Sequence, residues 1–512
     1  MKIKSAKFTS TISGATIFIS IVMLIGKAFG FLREVIFANY YGIGEDFDLF
    51  LISAVFPMTF NTIIFFMGQN FFIPIYNKIV TEEPANTSRL ISQILTMFIF
   101  SGFAFSIIIF LLSDFIFDLY LYSASEQLKS TASIIFKILI LSIPFSAGVA
   151  IFSSYLNAKF EFKYPAISHL FLNGTVILAI LLFSNTIGIY IIPIGYTLGT
   201  LFQFIFLLRK AWMYNEFSLN KLKLSLNFIK KIGNTSIIII ILIESIGQLY
   251  MIVDRFFYNE VETGGIASLN YALILYQFPI SIFSFAISSA IFPRISKEFS
   301  EKAYEKLNTI VDESIRIIVI IFLPVSIIFF VFGDFLIQII YEHGNFSSEG
   351  TRMTFDILRF LSLSLVFYTV YSILNKIFYS IDKVKVLLFI TIAGIFLKFL
   401  FNLFFVPLFS QNGLALSTTL SYLFFFSASY LFLKYKLKLL TSDIFITELI
   451  LNFINGIFSY FIVNLFLELF YLGTPVKEFF SIILFGGVYF LNLMLINHII
   501  LTKIKNVVRF FI

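Results

Sequence analysis

Two basic residues, Lys27 and Arg33, stand inside the first of many apolar stretches of this 512-residue chain. A charge at the centre of a membrane helix costs roughly 2.5–3.5 kcal/mol on insertion, so each must face a cavity or a partner. An ammonium and a guanidinium at this spacing can bind a phosphate-bearing group, Arg through a bidentate fork and Lys as a point charge. Six residues leave the two about 120° from eclipsed, so a shared face requires a kink at Gly26 or Gly30. Arg33 has a second reading, a structural pair with Glu34, Asp48 or another carboxylate. Asp48 opens the next stretch and suits an N-cap or first-turn carboxylate favoured by the helix dipole, beside a role in substrate contact. Glu244 and Lys398 also lie within apolar stretches. They fit either a structural pair or a coupling site in which the Glu holds Na⁺ or a proton and the ammonium fills the place of a cation. Asp254 and Arg255 suit an interfacial ion pair. Lys137, Arg316 and Lys376 are placed to snorkel toward an interface. Arg352, Asp356 and Arg359 are spaced to form a salt-bridged stripe or to line the outer cavity, the stripe being preferred.

The elements that position these groups must be membrane helices. Hydrophobic residues make up 59% of the chain and charged residues 13%, against about 25% charged in a soluble domain, and the mean hydropathy is +0.96. No cysteine occurs, so thiol chemistry and Cys-ligated metals are excluded, and the three histidines are far apart. No metal or other cofactor is expected. The net charge of +7 reflects basic loops rather than nucleic-acid binding. The first apolar run lacks a small-residue cleavage site, so no cleavable signal peptide is expected. No nucleophile–base constellation or nucleotide-binding loop is present, which argues for a transporter over an enzyme.

A span needs about 20 apolar residues. The sequence predicts fourteen, over 10–41, 47–79, 88–113, 130–158, 164–185, 187–209, 229–258, 265–296, 305–333, 351–380, 384–407, 412–435, 445–471 and 478–502. Loop charge supports an even count. Lys2, Lys4 and Lys7, then Lys78 and Arg89, then the 209–231 link (Arg209, Lys210, Lys221, Lys223, Lys230 and Lys231 against Glu216) are basic. So are Lys434, Lys436 and Lys438, and Lys503, Lys505 and Arg509. The alternate loops carry Glu45 and Asp46, then Asp114, Asp118 and Glu126, then Asp334, Glu342 and Glu349. The positive-inside rule then places both termini in the cytoplasm. Pro57, Pro144, Pro279 and Pro324 are expected to kink their spans.

The chain also matches itself. Arg33/Arg255, Gly42/Gly264, Asp48/Asn270 and Pro57/Pro279 are 222 residues apart. Pro74-x-x-x-Lys78 recurs as Pro293-x-x-x-Lys297, offset 219. Ser154-x-Leu156-Asn157 recurs as Ser372-x-Leu374-Asn375, and Gly195-x-x-Leu198-x-Thr200 as Gly413-x-x-Leu416-x-Thr418, both at offset 218. Six spans per repeat give both halves the same orientation, an arrangement seen in transporters that alternate access around a midplane site. The expected architecture is an all-α polytopic membrane protein with two parallel six-helix, MATE-like lobes, 1–225 and 226–438, and two additional helices in 439–512.

Gly26-Lys27-Ala28-Phe29-Gly30-Phe31-Leu32-Arg33-Glu34, then Tyr41-Gly42-x-Gly44 and Asp48-x-Phe50, resemble the first helix and loop of the lipid II flippases (MurJ, formerly MviN). That family lies within the multidrug/oligosaccharidyl-lipid/polysaccharide exporter superfamily. Phe72-Ile73-Pro74 fits the end of its second helix. Val253-Asp254-Arg255-Phe256-Phe257, Leu269-Asn270-Tyr271-Ala272, Gln277-Phe278-Pro279 and Phe292-Pro293-Arg294 resemble its seventh and eighth helices. Tyr341-Glu342-His343-Gly344-Asn345-Phe346 resembles its loop after helix 9. Asn402-Leu403, Val406-Pro407 and Gly413-Leu414-Ala415 fit helices 11 and 12. The similarity covers about residues 10–436. It implies translocation of an undecaprenyl-pyrophosphate-linked saccharide, lipid II first, across the bacterial inner membrane. It also implies a V-shaped cavity lined by cations, a groove for the lipid tail along helices 13 and 14, and cell-wall synthesis proteins as partners. The resulting substrate-binding candidates are Lys27, Arg33, Asp48, Asn61 and Asn270. The ion-coupling candidates are Glu244, Lys398 and Asn402, with Na⁺, a proton or the membrane potential as driving force.

The sequence departs from the family where Lys27 replaces an Arg, where Asn61-Thr62 replaces an Arg-rich stretch, around Met67-Gly68-Gln69, and where an Arg of the eighth helix is Leu273 or Ile274. These departures bear on the cargo rather than on flipping, and an O-antigen or capsular repeat lipid stays open as the alternative. A cation-coupled multidrug exporter is a further alternative, against which the cationic cavity argues.

Overall fold

The computed structural model describes residues 12–82, 87–214, 235–440, 443–470 and 473–496. The basic residues expected at 2, 4, 7, 221, 223, 230, 231, 503, 505 and 509, with Glu216, His498 and the domain boundary near 225, lie outside these. Among the described residues the secondary structure is helical, with no strand. Lipid offers backbone groups no hydrogen-bond partners, so each segment satisfies its own.

The helices are α1 (Ile12–Tyr41), α2 (Glu45–Met67), α3 (Ile73–Glu82), α4 (Thr87–Tyr120), α5 (Glu126–Ile140), α6 (Ile143–Ala158), α7 (Lys163–Ile187), α8 (Ile191–Trp212) and α9 (Thr235–Arg255). They continue with α10 (Gly265–Ser300), α11 (Tyr304–Tyr341), α12 (Ser348–Ser362), α13 (Leu365–Ser380), α14 (Val384–Phe409), α15 (Gln411–Leu431), α16 (Ile444–Glu468) and α17 (Thr474–Ile496). A π-helical turn, Gly68–Phe72, joins α2 to α3. Pro57, Pro279 and Pro324 lie inside helices, whereas Pro144 sits in the first turn of α6, where its missing N–H costs nothing. Ten helices among the described residues are long and apolar enough to cross a membrane, or eleven if α12 and α13, bent by 51° at their junction, form one span. This is a multi-pass membrane protein.

Burial follows lipid rather than water. Along α16, Ile446, Ile450, Phe453, Ile457, Phe461 and Leu465 are exposed, while Glu448, Asn452, Asn455 and Ser459 are buried. The 4-3-4 spacing of the polar set puts it on one face. Arg316 Nε donates to Glu448 Oε1 at 2.7 Å and Asn452 Nδ2 to Glu448 Oε2 at 3.1 Å. Tyr489 O–H donates to Asn452 Oδ1 at 2.8 Å, and Asn455 Nδ2 donates to the Tyr489 carbonyl at 3.1 Å. This polar ladder fastens α16 and α17 to α11, in keeping with the polar contacts that join helices where lipid removes the hydrophobic drive. Arg316 therefore pairs within the protein instead of snorkelling. The expected Arg352–Asp356–Arg359 stripe is likewise corrected: no ion pair joins these three, and Arg359 lies over the rings of Phe330 and Phe355 at 4.8 and 5.4 Å.

Contacts divide the chain into two units. One holds residues 1–267, 343–347 and 399–410; the other holds 268–342, 348–398 and 411–512.

The internal match has a backbone signature. α5 and α12 begin 222 residues apart and end 222 residues apart, and so do α6 and α13. Left-handed residues recur at the same offset: Gly42 and Gly264, Phe160 and Asp382, Gly188 and Ser410. Phe160 and Asp382 each close a helix with the paired bonds of a Schellman cap. Glu161 N–H donates to Leu156 at 2.8 Å, and Lys383 N–H to Phe378 at 3.0 Å. Thr197 donates to the Ile138 carbonyl at 2.9 Å, and Thr419 donates to that of Phe360 at 2.7 Å. The offset is thus 222 through this region, which corrects the pairings at 218. Those sequence matches slipped by four residues, about one helical turn, which leaves every residue on the same face. Helix ends and left-handed caps fix a register that periodic letters do not.

Candidate functional site

At one end of the first unit the loops are knotted by polar contacts. Gly42 and Gly264 provide the turns, each with positive φ, and a Cβ on either would overlap a backbone carbonyl, that of Asn345 or of Ile43. Between them the Asp48 side chain has no exposed surface. Its oxygens accept from Gly264 N–H at 2.6 Å and Ala267 N–H at 2.7 Å. Asp48 is therefore a cap, but for the amino terminus of α10 rather than for its own helix. Its lone pairs are turned to the unpaired amides of a helix start. Asn345 adds two contacts, its N–H to the Asn39 carbonyl at 2.8 Å and its Nδ2 to the Tyr40 carbonyl at 2.6 Å. Glu262 N–H donates to Ser410 Oγ at 3.1 Å.

Beside this knot Asp254 and Arg255 are both buried. Asn402, fully buried, donates from Nδ2 to Asp254 Oδ1 at 3.1 Å. Its Oδ1 and the Arg255 Nε lack hydrogen-bond partners. Asn402 thus contacts an acid, as a coupling candidate would, whereas Asp254 and Arg255 are deeper than the expected interfacial pair. Glu244 is half-buried in α9 and belongs to the first unit; Lys398 is fully buried in α14 and belongs to the second.

Arg33 is fully engaged inside the first unit. Its Nε and one terminal nitrogen both donate to Glu34 Oε1, the former at 3.2 Å. The other terminal nitrogen donates to Asn173 Oδ1 at 3.0 Å, and the guanidinium lies 5.2 Å from the Tyr196 ring centre and 5.5 Å from that of Phe37. The pair with Glu34 matches the structural reading of Arg33. Lys27 lies midway along α1 and is half-buried. Asn61 donates to Ser142 Oγ at 3.4 Å, at the break between α5 and α6, and its Oδ1 is buried without a partner. Asn270 is half-buried near the start of α10. Asn173, Tyr196 and Ser142 were not foreseen; none carries a local signal of what it meets.

The sequence model of the family described as "Lipid II flippase MurJ" matches residues 37–485. The chain belongs to this family. It is 26% identical over 419 residues to the probable lipid II flippase MurJ of Borreliella burgdorferi, covering 80% of this chain and 81% of that one. It is 27% identical over 490 residues to the corresponding protein of Buchnera aphidicola subsp. Acyrthosiphon pisum, covering 92% and 93%. A solved lipid II flippase MurJ in an inward closed conformation shares the fold with a TM-score of 0.79 and 21% identity, over 95% of this chain and 100% of that one. An inward-facing multidrug transporter of the MATE family and MOP superfamily shares it at 0.68 and 14%, over 83% and 99%.

A double-mutant cycle tests the structural role of Arg33. Arg33→Ala leaves Glu34 without its partner and is expected to lower stability by about 1–3 kcal/mol. The Arg33→Ala/Glu34→Ala protein is expected to recover part of that loss in thermal unfolding. Additive losses would separate the two residues.

Proposed function

We propose that this chain flips lipid II, the undecaprenyl-pyrophosphate-linked precursor of peptidoglycan, across the bacterial inner membrane by alternating access. The family match over residues 37–485 carries this reading. Lys27 supports it, because a half-buried ammonium midway along a membrane helix suits a diphosphate better than a cationic or neutral cargo. The proposed topology has fourteen spans with both termini in the cytoplasm. In its favour, one apolar segment, 163–212, contains two helices, α7 and α8, separated at left-handed Gly188. The 30-residue α1 and 21-residue α9 add further apolar helices. Loops of one parity hold Lys78, Lys159, Lys163, Arg209, Lys210, Lys383, Lys434 and Lys436, and those of the other hold Glu45, Asp46, Asp118, Glu126, Glu260, Glu262, Glu342 and Glu349. The 222-residue repeat supports two like-oriented six-span lobes, 1–225 and 226–438, with α16 and α17 as the addition. Access from the acidic side then requires the knot around Asp48 to part during each cycle.

Coupling to Na⁺ or a proton through Glu244 is part of the proposal; Asn402 and Lys398 are kept as further candidates, each within its own unit. Glu244→Gln is expected to abolish the ion dependence of flux in proteoliposomes; unchanged flux with unchanged ion dependence would exclude this residue. Complementation tests the function itself. The chain is expected to rescue cells depleted of their lipid II flippase, and Lys27→Ala to abolish rescue at normal protein level, while Lys27→Arg preserves it. Rescue by Lys27→Ala would remove Lys27 from substrate binding.

A further inference from the structure

The end of α6, the start of α7 and the end of α8 bring a linked set of cations and rings together beside α3. Lys159, at the end of α6, has its ammonium 5.5 Å from the ring centre of Tyr76 and 5.8 Å from those of Tyr155 and Tyr214. Tyr214 O–H donates to Glu161 Oε1 at 2.9 Å, and Lys163 pairs with the other oxygen of Glu161 at 3.2 Å. Lys163 and Lys210 flank one ring, that of Tyr164, at 4.8 and 5.1 Å. Arg209, exposed beside Lys210 in the last turn of α8, extends the set. The set thus holds four cations, Lys159, Lys163, Arg209 and Lys210, and one carboxylate, Glu161, which is engaged by Lys163 and Tyr214.

The apolar residues around this set are oriented outward. Phe160 is 82% exposed and holds a left-handed backbone, φ 61°, at a helix cap where glycine is the usual residue. Its counterpart in the second repeat is Asp382, also left-handed. Trp212, the one tryptophan of the chain, is 46% exposed, and Met213 is 70% exposed. An exposed Phe in a costly conformation and an exposed Trp beside clustered ammonium groups match a bilayer interface, where aromatic rings sit at headgroup level and cations meet lipid phosphate.

We propose that Lys163, Arg209 and Lys210 bind the headgroup of an anionic phospholipid of the adjacent leaflet, with Phe160 and Trp212 seated in its acyl region. The site lies outside the residues assigned to the flipped substrate, and it anchors α6, α7 and α8 to that leaflet. The Tyr164 ring spaces the two ammonium groups, and Glu161 fixes Lys163 without neutralising the set.

Trp212 reports on this site without any label. The full chain is reconstituted in phosphatidylcholine vesicles containing a minor fraction of brominated phosphatidylglycerol or, separately, brominated phosphatidylcholine. Brominated phosphatidylglycerol is expected to be enriched at Trp212 at least about five-fold over brominated phosphatidylcholine, the factor a single interfacial cation supplies, and to quench it correspondingly more. The preference is expected to vanish in Lys163→Gln/Arg209→Gln/Lys210→Gln, to survive in Lys163→Arg/Lys210→Arg, and to fall in high salt. Equal quenching by the two lipids in the wild-type protein would overturn the proposal and leave these cations as determinants of topology alone. So would a preference that persists in the triple variant. If the triple variant does not fold, the salt dependence of the wild type decides, since a preference indifferent to salt is not electrostatic.

Discussion

One carboxylate joins distant segments of the first unit. Asp48 is removed from solvent and gives its charge to the amino end of a helix that starts more than two hundred residues later. Burial makes such a charge costly unless donors surround it, and the free amides of a helix start are donors of that kind. The arrangement works only because the chain can turn tightly on either side. Gly42 and Gly264 provide those turns, each where a side chain would collide with the backbone of another loop. The contacts of Asn345 and Ser410 assemble around the same point. A helix cap, normally local, here acts between repeats.

The same economy governs the buried charges elsewhere. Lipid penalises an isolated charge, so each must find a partner, and several do so at long range. Arg33 meets Asn173 as well as its neighbour Glu34, and Arg316 meets Glu448 at the head of the ladder that fastens α16 and α17. These contacts use the residues that composition alone would nominate for chemistry. Intramembrane charge is therefore an ambiguous signal: in this chain it accompanies fastening contacts at Arg33, Arg316 and Asp48.

Fold class, the presence of the repeat and the family were legible in the sequence. Apolar runs of about twenty residues have one physical solution, and the motif around Gly26–Asp48 is dense enough to name a family. Register was less legible, because a slip of one turn keeps every residue on its face, so Ser154 and Gly195 found false partners. Partners were illegible for the same reason: nothing in an apolar helix announces that Asn173 lies opposite Arg33, or that the helix capped by Asp48 belongs to the other repeat. Phe160 shows a further limit, since its left-handed backbone stands where sequence reasoning looks for glycine.

On the proposed alternating-access reading, the knot around Asp48 is a closure that releases rather than a permanent joint. Because the chain has no cysteine, a disulfide placed across it can be tested without background. Asn39 and Asn345, whose backbones meet at 2.8 Å, are replaced by cysteine, and flux of the lipid-linked substrate is measured in proteoliposomes after oxidation and again after reduction. Arrest on oxidation with recovery on reduction is the predicted result; undiminished flux through the cross-linked protein would contradict it.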